Sequence, residues 1–163
     1  MPNAVNEMEF IDAEDTQKDK YLTFSLGDEY YGIEIGYVTE IIGIQPIAEV
    51  PELPDYIRGI INLRGKIIPV MDVRRRFRKD AKEYDDRTCI IVIDVMNTYV
   101  GLIVDRVSEV LSIEEKDIEL PPNMSKGSVG YIKGIGKVGS DVKLILDCNR
   151  LLNQEDLENI KGE

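Results

Sequence analysis

Residues 134 to 139 read GIGKVG and satisfy G-x-G-x-x-G, the pattern of a dinucleotide-binding loop. Such a loop must open a helix after a strand, so that the helix N-terminus faces a pyrophosphate, with an acidic residue about 20 positions on. Here SDVKLILD follows, which reads as another strand, so the glycines belong to a hairpin and no cofactor is expected. The chain holds no histidine, which removes Ser/His/Asp and Cys/His nucleophiles, a His phosphoacceptor and His-ligated metals. Cys89 and Cys148 sit in apolar runs, too few and too far apart for a metal knuckle, and read as buried free thiols. Glu40 and Glu109 occupy the same polar step of two similar strands (VTEII, VSEVL), the ordinary place for a solvent-facing acid. No nucleophile with a neighbouring base, phosphate loop or metal cluster emerges, and the expectation is a protein that is not an enzyme.

What remains is binding chemistry. In GIINLRGKIIPVMD (59 to 72) two apolar runs flank Asn62-Leu63-Arg64-Gly65, and Asn first with Gly fourth is the type I turn signature. The turn does not explain an exposed Leu63-Arg64 pair, because a solvated tip is served as well by Ser, Asp or Lys. Arginine is enriched at binding hot spots, where its planar fork of donors meets a carboxylate or amide while its stem packs on apolar surface. A second basic feature, Arg74-Arg75-Arg76-Phe77-Arg78-Lys79, is followed by the acidic DAKEYDD and reads as a solvated helix face and loop.

These residues need a frame. At 163 residues with 43% apolar content the chain suffices for a packed core, and its net charge of −11 repels nucleic acid and anionic lipid. No stretch approaches the roughly 20 apolar residues of a bilayer span, and the N-terminus lacks the regions of a signal peptide, so a cytoplasmic protein without membrane insertion is expected. Residues 1–19 read as a disordered acidic tail. From Lys20, β-rich runs broken by Gly, Asp, Asn and Pro predict strands at 20–26, 30–35, 38–48, 56–62 and 66–72, then 88–95, 99–104, 106–113, 130–136 and 142–147. Asp72 caps a short helix, and 153–163 read as a C-terminal helix.

The two sets of five are copies. An offset of 69 aligns Tyr30 with Tyr99, Gly32 with Gly101, Val38 with Val107 and Glu40 with Glu109. An offset of 75 aligns Tyr56 with Tyr131, Gly59 with Gly134 and Asp72 with Asp147, the second copy carrying six extra residues around NMSKGS. The expected fold class is mainly β: two pseudo-symmetric five-stranded small barrels packed together with a groove between them, short helices and a C-terminal helix. Residues 20–87 would form the first barrel with its linker and 88–152 the second. At Leu63 and Arg64 the second copy carries Val138 and Gly139, so the basic tip exists once.

The runs LGDEYYGIEI, VTEII, VPELPDYIRGIINLRGKIIPVMDVRRRF, GLIVDRVSEVLSI, ELPP and YIKGIGKV, spread from about Lys20 to Leu152, resemble the CheW family of bacterial chemotaxis coupling proteins. The resemblance implies a non-catalytic adaptor linking the regulatory domain of the histidine kinase CheA to the cytoplasmic hairpin tip of methyl-accepting receptors, at receptor clusters on the inner face of the membrane. It implies receptor contacts at Val38, Glu40, Gly59 and Arg64 in the first barrel, with Leu63 beside them, and at Val107 and Val110 in the second. The competing readings are a small-ligand-binding or enzymatic protein using the inter-barrel groove, and an RNA-binding barrel with salt-sensitive affinity.

Overall fold

The computed structural model describes residues 17–121 and 130–152. The NMSKGS loop, the C-terminal helix and all but the end of the acidic tail lie outside the described residues. Within them the chain order is β1 (Lys20–Leu26), β2 (Glu29–Glu34), β3 (Val38–Gly43), β4 (Ile57–Leu63), β5 (Lys66–Asp72), helix α1 (Val73–Arg76), β6 (Cys89–Val95), β7 (Thr98–Val104), β8 (Arg106–Ser112), β9 (Ile118–Glu119), β10 (Ile132–Val138), β11 (Asp141–Leu146) and helix α2 (Cys148–Leu151). The mainly β class holds. Strand β3 is shorter than expected, its foreseen continuation being reduced to a single bridge of Ala48 with Ile60, and β9 was not foreseen.

The strands form two sheets whose orders are β8-β1-β2-β11-β10-β9, here sheet A, and β3-β6-β7-β5-β4, here sheet B. Under the repeat offsets the first five strands of sheet A map one by one onto sheet B. The first copy therefore contributes β3, β4 and β5 to sheet B and the second β8 to β11 to sheet A, and each lends its leading hairpin, β1-β2 or β6-β7, to the other sheet. Strands of residues 20–87 and of residues 88–152 therefore stand in both sheets.

Burial explains the exchange. Strand β6 (CIIVIDV) and β7 (TYVGLIV) are apolar on both faces, a pattern suited to central strands covered on both sides. Ile90 and Val92 face the interior of sheet B with Ile61, Leu63, Ile68, Val70 and Ile103. Ile91, Ile93 and Val95 turn the other way and meet Leu22, Phe24, Tyr31 and Ile33 of sheet A in the largest apolar cluster, shared by the two sheets. The interior of sheet A is thinner, holding Tyr21, Ile113 and Ile145.

The repeat is visible atom by atom at its paired glycines. Gly101 lies opposite Val70 and Gly32 opposite Ile145 in the parallel pairings that join the lent hairpins to their host sheets. A Cβ on Gly101 would stand 2.6 Å from Ile90 Cγ2 and 2.9 Å from Val70 Cγ1, and one on Gly32 3.2 Å from Ile145 Cδ1. Larger residues there would push the lent hairpin off its host.

Candidate functional site

The β4-β5 hairpin is tighter than its Asn-x-x-Gly spacing indicates. Leu63 pairs with Lys66, leaving Arg64 and Gly65 as a two-residue turn with φ of 51° and 88°. Positive φ at both central positions is the type I′ geometry, which matches the twist of the flanking strands. Asn62 Oδ1 accepts a bond from the Gly65 amide at 2.9 Å. The type I turn expected at 62–65 is thus corrected by one residue, and the consequence for Leu63 is large. As the last residue of β4 it points inward, 8% exposed, inside the sheet B cluster. The expected exposed Leu-Arg pair is a buried leucine beside an exposed arginine.

Arg64 then has a defined setting. Its side chain is 69% exposed and its Nη2 pairs with Glu40 Oε1 of β3, a carboxylate 30% exposed. The two residues lie on the wall of a depression of about 310 Å³ lined also by Thr39, Leu63, Lys66, Ile68, Val92 and Tyr99. Every lining residue belongs to sheet B or its β4-β5 turn, so the arginine borders a hollow within one sheet. Lys66 Nζ stands 4.9 Å over the Tyr99 ring, adding a second cation to the lining.

The other anticipated contact residues divide. Val38 and Val107, repeat mates on the end strands β3 and β8, pack half-buried against the cluster shared by the sheets, which places them along the seam. Val110, paired with Leu22, is 49% exposed on β8. Gly59 presents no surface: it is buried, with φ of 149°, and a Cβ on it would stand 2.1 Å from the Ala48 carbonyl oxygen. Its glycine is explained by backbone approach.

The basic run is corrected as well. Arg74 Nε and Nη2 reach the two oxygens of Asp105 at 2.7 and 2.6 Å with both side chains largely covered. Burial raises the Asp105 carboxyl, but Arg74 and the Gly27 amide outweigh it and hold the group below the usual carboxylate range. Arg76 stacks on tyrosines, so two of the three helix arginines are structural. Local charge reading missed both because their partners lie far off in sequence. Among the described residues no cluster of His, Cys, Asp or Glu could hold a metal, and no helix is long and apolar enough to cross a membrane. Burial pushes the Cys148 thiol up to about 12, leaving it a poor nucleophile.

Fold and surface together define a two-sheet β protein with an exposed Arg64–Glu40 pair beside a hollow in sheet B. A family profile described as CheW-like domain matches residues 20–156. The chain is 36% identical over 146 residues to the chemotaxis protein CheW of Klebsiella aerogenes, covering 89% of this chain and 88% of that one. It is 32% identical over 165 residues to the chemotaxis protein CheW of Treponema pallidum, covering 98% and 92%. Among solved structures it is similar to the scaffolding protein TtCheW from Thermoanaerobacter tengcongensis, with a TM-score of 0.79 and 37% identity over 85% of this chain and 94% of that one. The chain belongs to the CheW-like family, and its role is that of a chemotaxis adaptor or scaffold.

Proposed function

We propose that this chain couples the cytoplasmic hairpin tip of methyl-accepting chemoreceptors to the regulatory domain of the kinase CheA, working without catalysis at receptor clusters on the inner face of the membrane. The observation that carries the receptor contact is the exposed Arg64 guanidinium, fixed by Glu40 above an apolar-floored hollow. A helical hairpin presents polar groups beside apolar knobs. The guanidinium meets the first at the rim while Val38 and Val107 along the seam, with exposed Val110, receive the second. Leu63 contributes from beneath as the floor of the hollow, and Gly59 contributes by shaping β4.

Arg64→Glu tests the reading. A solvent-exposed ion pair contributes at most about 1 kcal/mol to the fold, so the thermal transition should move little. Binding to a receptor tip fragment should weaken more than tenfold, about 1.4 kcal/mol, because the variant sets a second carboxylate beside Glu40 and removes the fork of donors. Equal affinity of the two proteins would overturn the receptor assignment. Capture of the CheA regulatory domain by both proteins would locate the kinase contact elsewhere, whereas failure of the unaltered chain to capture it would overturn the coupling role.

A further inference from the structure

The sheets meet through an apolar cluster, and apolar contact scales with area without preferring an angle. A directional element sits beside it. Tyr56 leads into β4 of sheet B and Tyr131 into β10 of sheet A, and the two are repeat mates. Each is tied to the end of its own sheet by the same bond: the Asp72 amide donates to the Tyr56 carbonyl, and the Asp147 amide to the Tyr131 carbonyl, both at 2.8 Å. The Arg76 guanidinium carbon stands 4.1 Å from the Tyr56 ring centroid and 4.7 Å from that of Tyr131. Its Nε donates to the Leu151 carbonyl of α2 at 2.8 Å. Phe77, next in the chain, stacks on Tyr131 at 5.5 Å and meets Tyr31 of β2 at 5.4 Å. Helix α1 continues β5 of sheet B, yet its end is fastened to sheet A.

The chemistry of the fastening is selective for orientation. Among the described residues no carboxylate pairs with Arg76, so the guanidinium is held by ring faces and one carbonyl, which act at short range and in defined directions. Among the described residues the buried Tyr56 hydroxyl has no hydrogen-bond partner, so its ring face is what this residue supplies. The repeat mate of Arg76 is Leu151, whose apolar side chain is fully buried, so packing at this position is met by leucine in the other copy.

We propose that Arg76 is the joint that sets the angle between the two sheets, and with it the placement of Val38 and Glu40 on β3 relative to Val107 and Val110 on β8. It is a positioning residue, and the inference rests on no partner's identity. The test is the backbone amide residual dipolar couplings of the full chain in a dilute aligning medium. In the unaltered protein the couplings of both sheets should fit one alignment tensor. In Arg76→Leu and Arg76→Gln each sheet should still fit its own strand geometry, while the pair requires two tensors. Arg75→Ala, on the same helix but with its Nη1 turned to Asp55, whose carbonyl accepts at 3.2 Å and whose carboxylate lies at 3.7 Å, should keep one. A single shared tensor in both Arg76 variants would overturn the proposal. Loss of dispersed spectra in both would overturn it too, by making the arginine a requirement for folding.

Discussion

Replacing Gly59 by alanine separates two roles this residue could play. As a contact residue it could accept a methyl group with the fold intact and lose only partner binding. The structure assigns it a backbone role: the added Cβ would stand 2.1 Å from the Ala48 carbonyl oxygen at a φ of 149°. Relieving that overlap means pushing Ala48 away and breaking the bridge in which Ala48 and Ile60 exchange amide bonds, both 2.9 Å long. Each bond contributes about 0.5–1.5 kcal/mol, and holding alanine at such a φ costs about 1–3 kcal/mol. The expected loss is about 2–6 kcal/mol, and a chain of this size melts about 2–4 °C lower per kcal/mol, so a drop on the order of 5–20 °C is expected. Thermal unfolding followed by circular dichroism reads it, with amide exchange at Ala48 and Ile60 reporting the opened bridge. Gly134→Ala, the repeat mate, is the internal comparison. Its Cβ would meet Ile118 Cγ2 at 2.6 Å and a carbonyl only at 3.6 Å, so a side chain and not a backbone bridge must shift and about 1–3 kcal/mol is expected. A Gly59→Ala protein that melts within a degree or two of the unaltered chain yet has lost its partner would refute this reasoning.

Two further expectations concern charge. Asp105→Asn should cost about 2–3 kcal/mol at neutral pH, since it leaves the covered Arg74 guanidinium without its two-point partner. Because the folded carboxyl is held below its usual range, its stabilisation is complete above the unfolded pKa and is lost as pH falls; urea titrations at neutral and acid pH should show a smaller acid loss in the variant. The Tyr84 hydroxyl is pushed up to about 12 by burial and by donating to Asp72 at 2.8 Å. The unfolded phenol ionises near pH ~10, so stability from this group is complete below that and declines towards 12. Tyr84 should be among the tyrosines that resist ionisation in ultraviolet titration, and Tyr84→Phe should remove one tyrosine's share of that component.

Where strands lie was written in the chain; which strands pair was not. Apolar runs ended by Gly, Asp and Asn located β1 to β8 within a few residues, and the paired Tyr30/Tyr99 and Gly32/Gly101 exposed the repeat. Two like copies, however, specify two like sheets equally well with hairpins kept or traded. The choice turned on β6 and β7 being apolar on both faces, a pattern that demands cover on both sides and that strand location alone does not use. Asn62 and Gly65 fitted a turn in either of two registers, and the burial of Leu63 selected one. Glu40 and Arg64 were each singled out, yet their pairing across 24 residues had no local signal. Arg74 and Arg76 looked solvated because Asp105, Tyr131 and Leu151 are invisible from a run of six basic and aromatic letters.

The traded hairpins also explain how so small a scaffold holds two surfaces in fixed relation. A β unit of about 60 residues buries too little to be comfortable alone, and two such units joined end to end would share only a boundary. Here the chain passes from sheet A to sheet B through the single turn Ile35–Tyr37 and back at Asp105, so each sheet is incomplete without strands from the other copy. Any motion of one sheet drags on a hairpin hydrogen-bonded into the other. Asp105, which receives Arg74 at one crossing, and Arg76, which binds both tyrosines beside the shared core, then need only to fix an orientation that the topology already confines. Val38 and Val107 follow those crossings directly, at the starts of β3 and β8, so these seam residues are placed by the same two points at which the copies interlock.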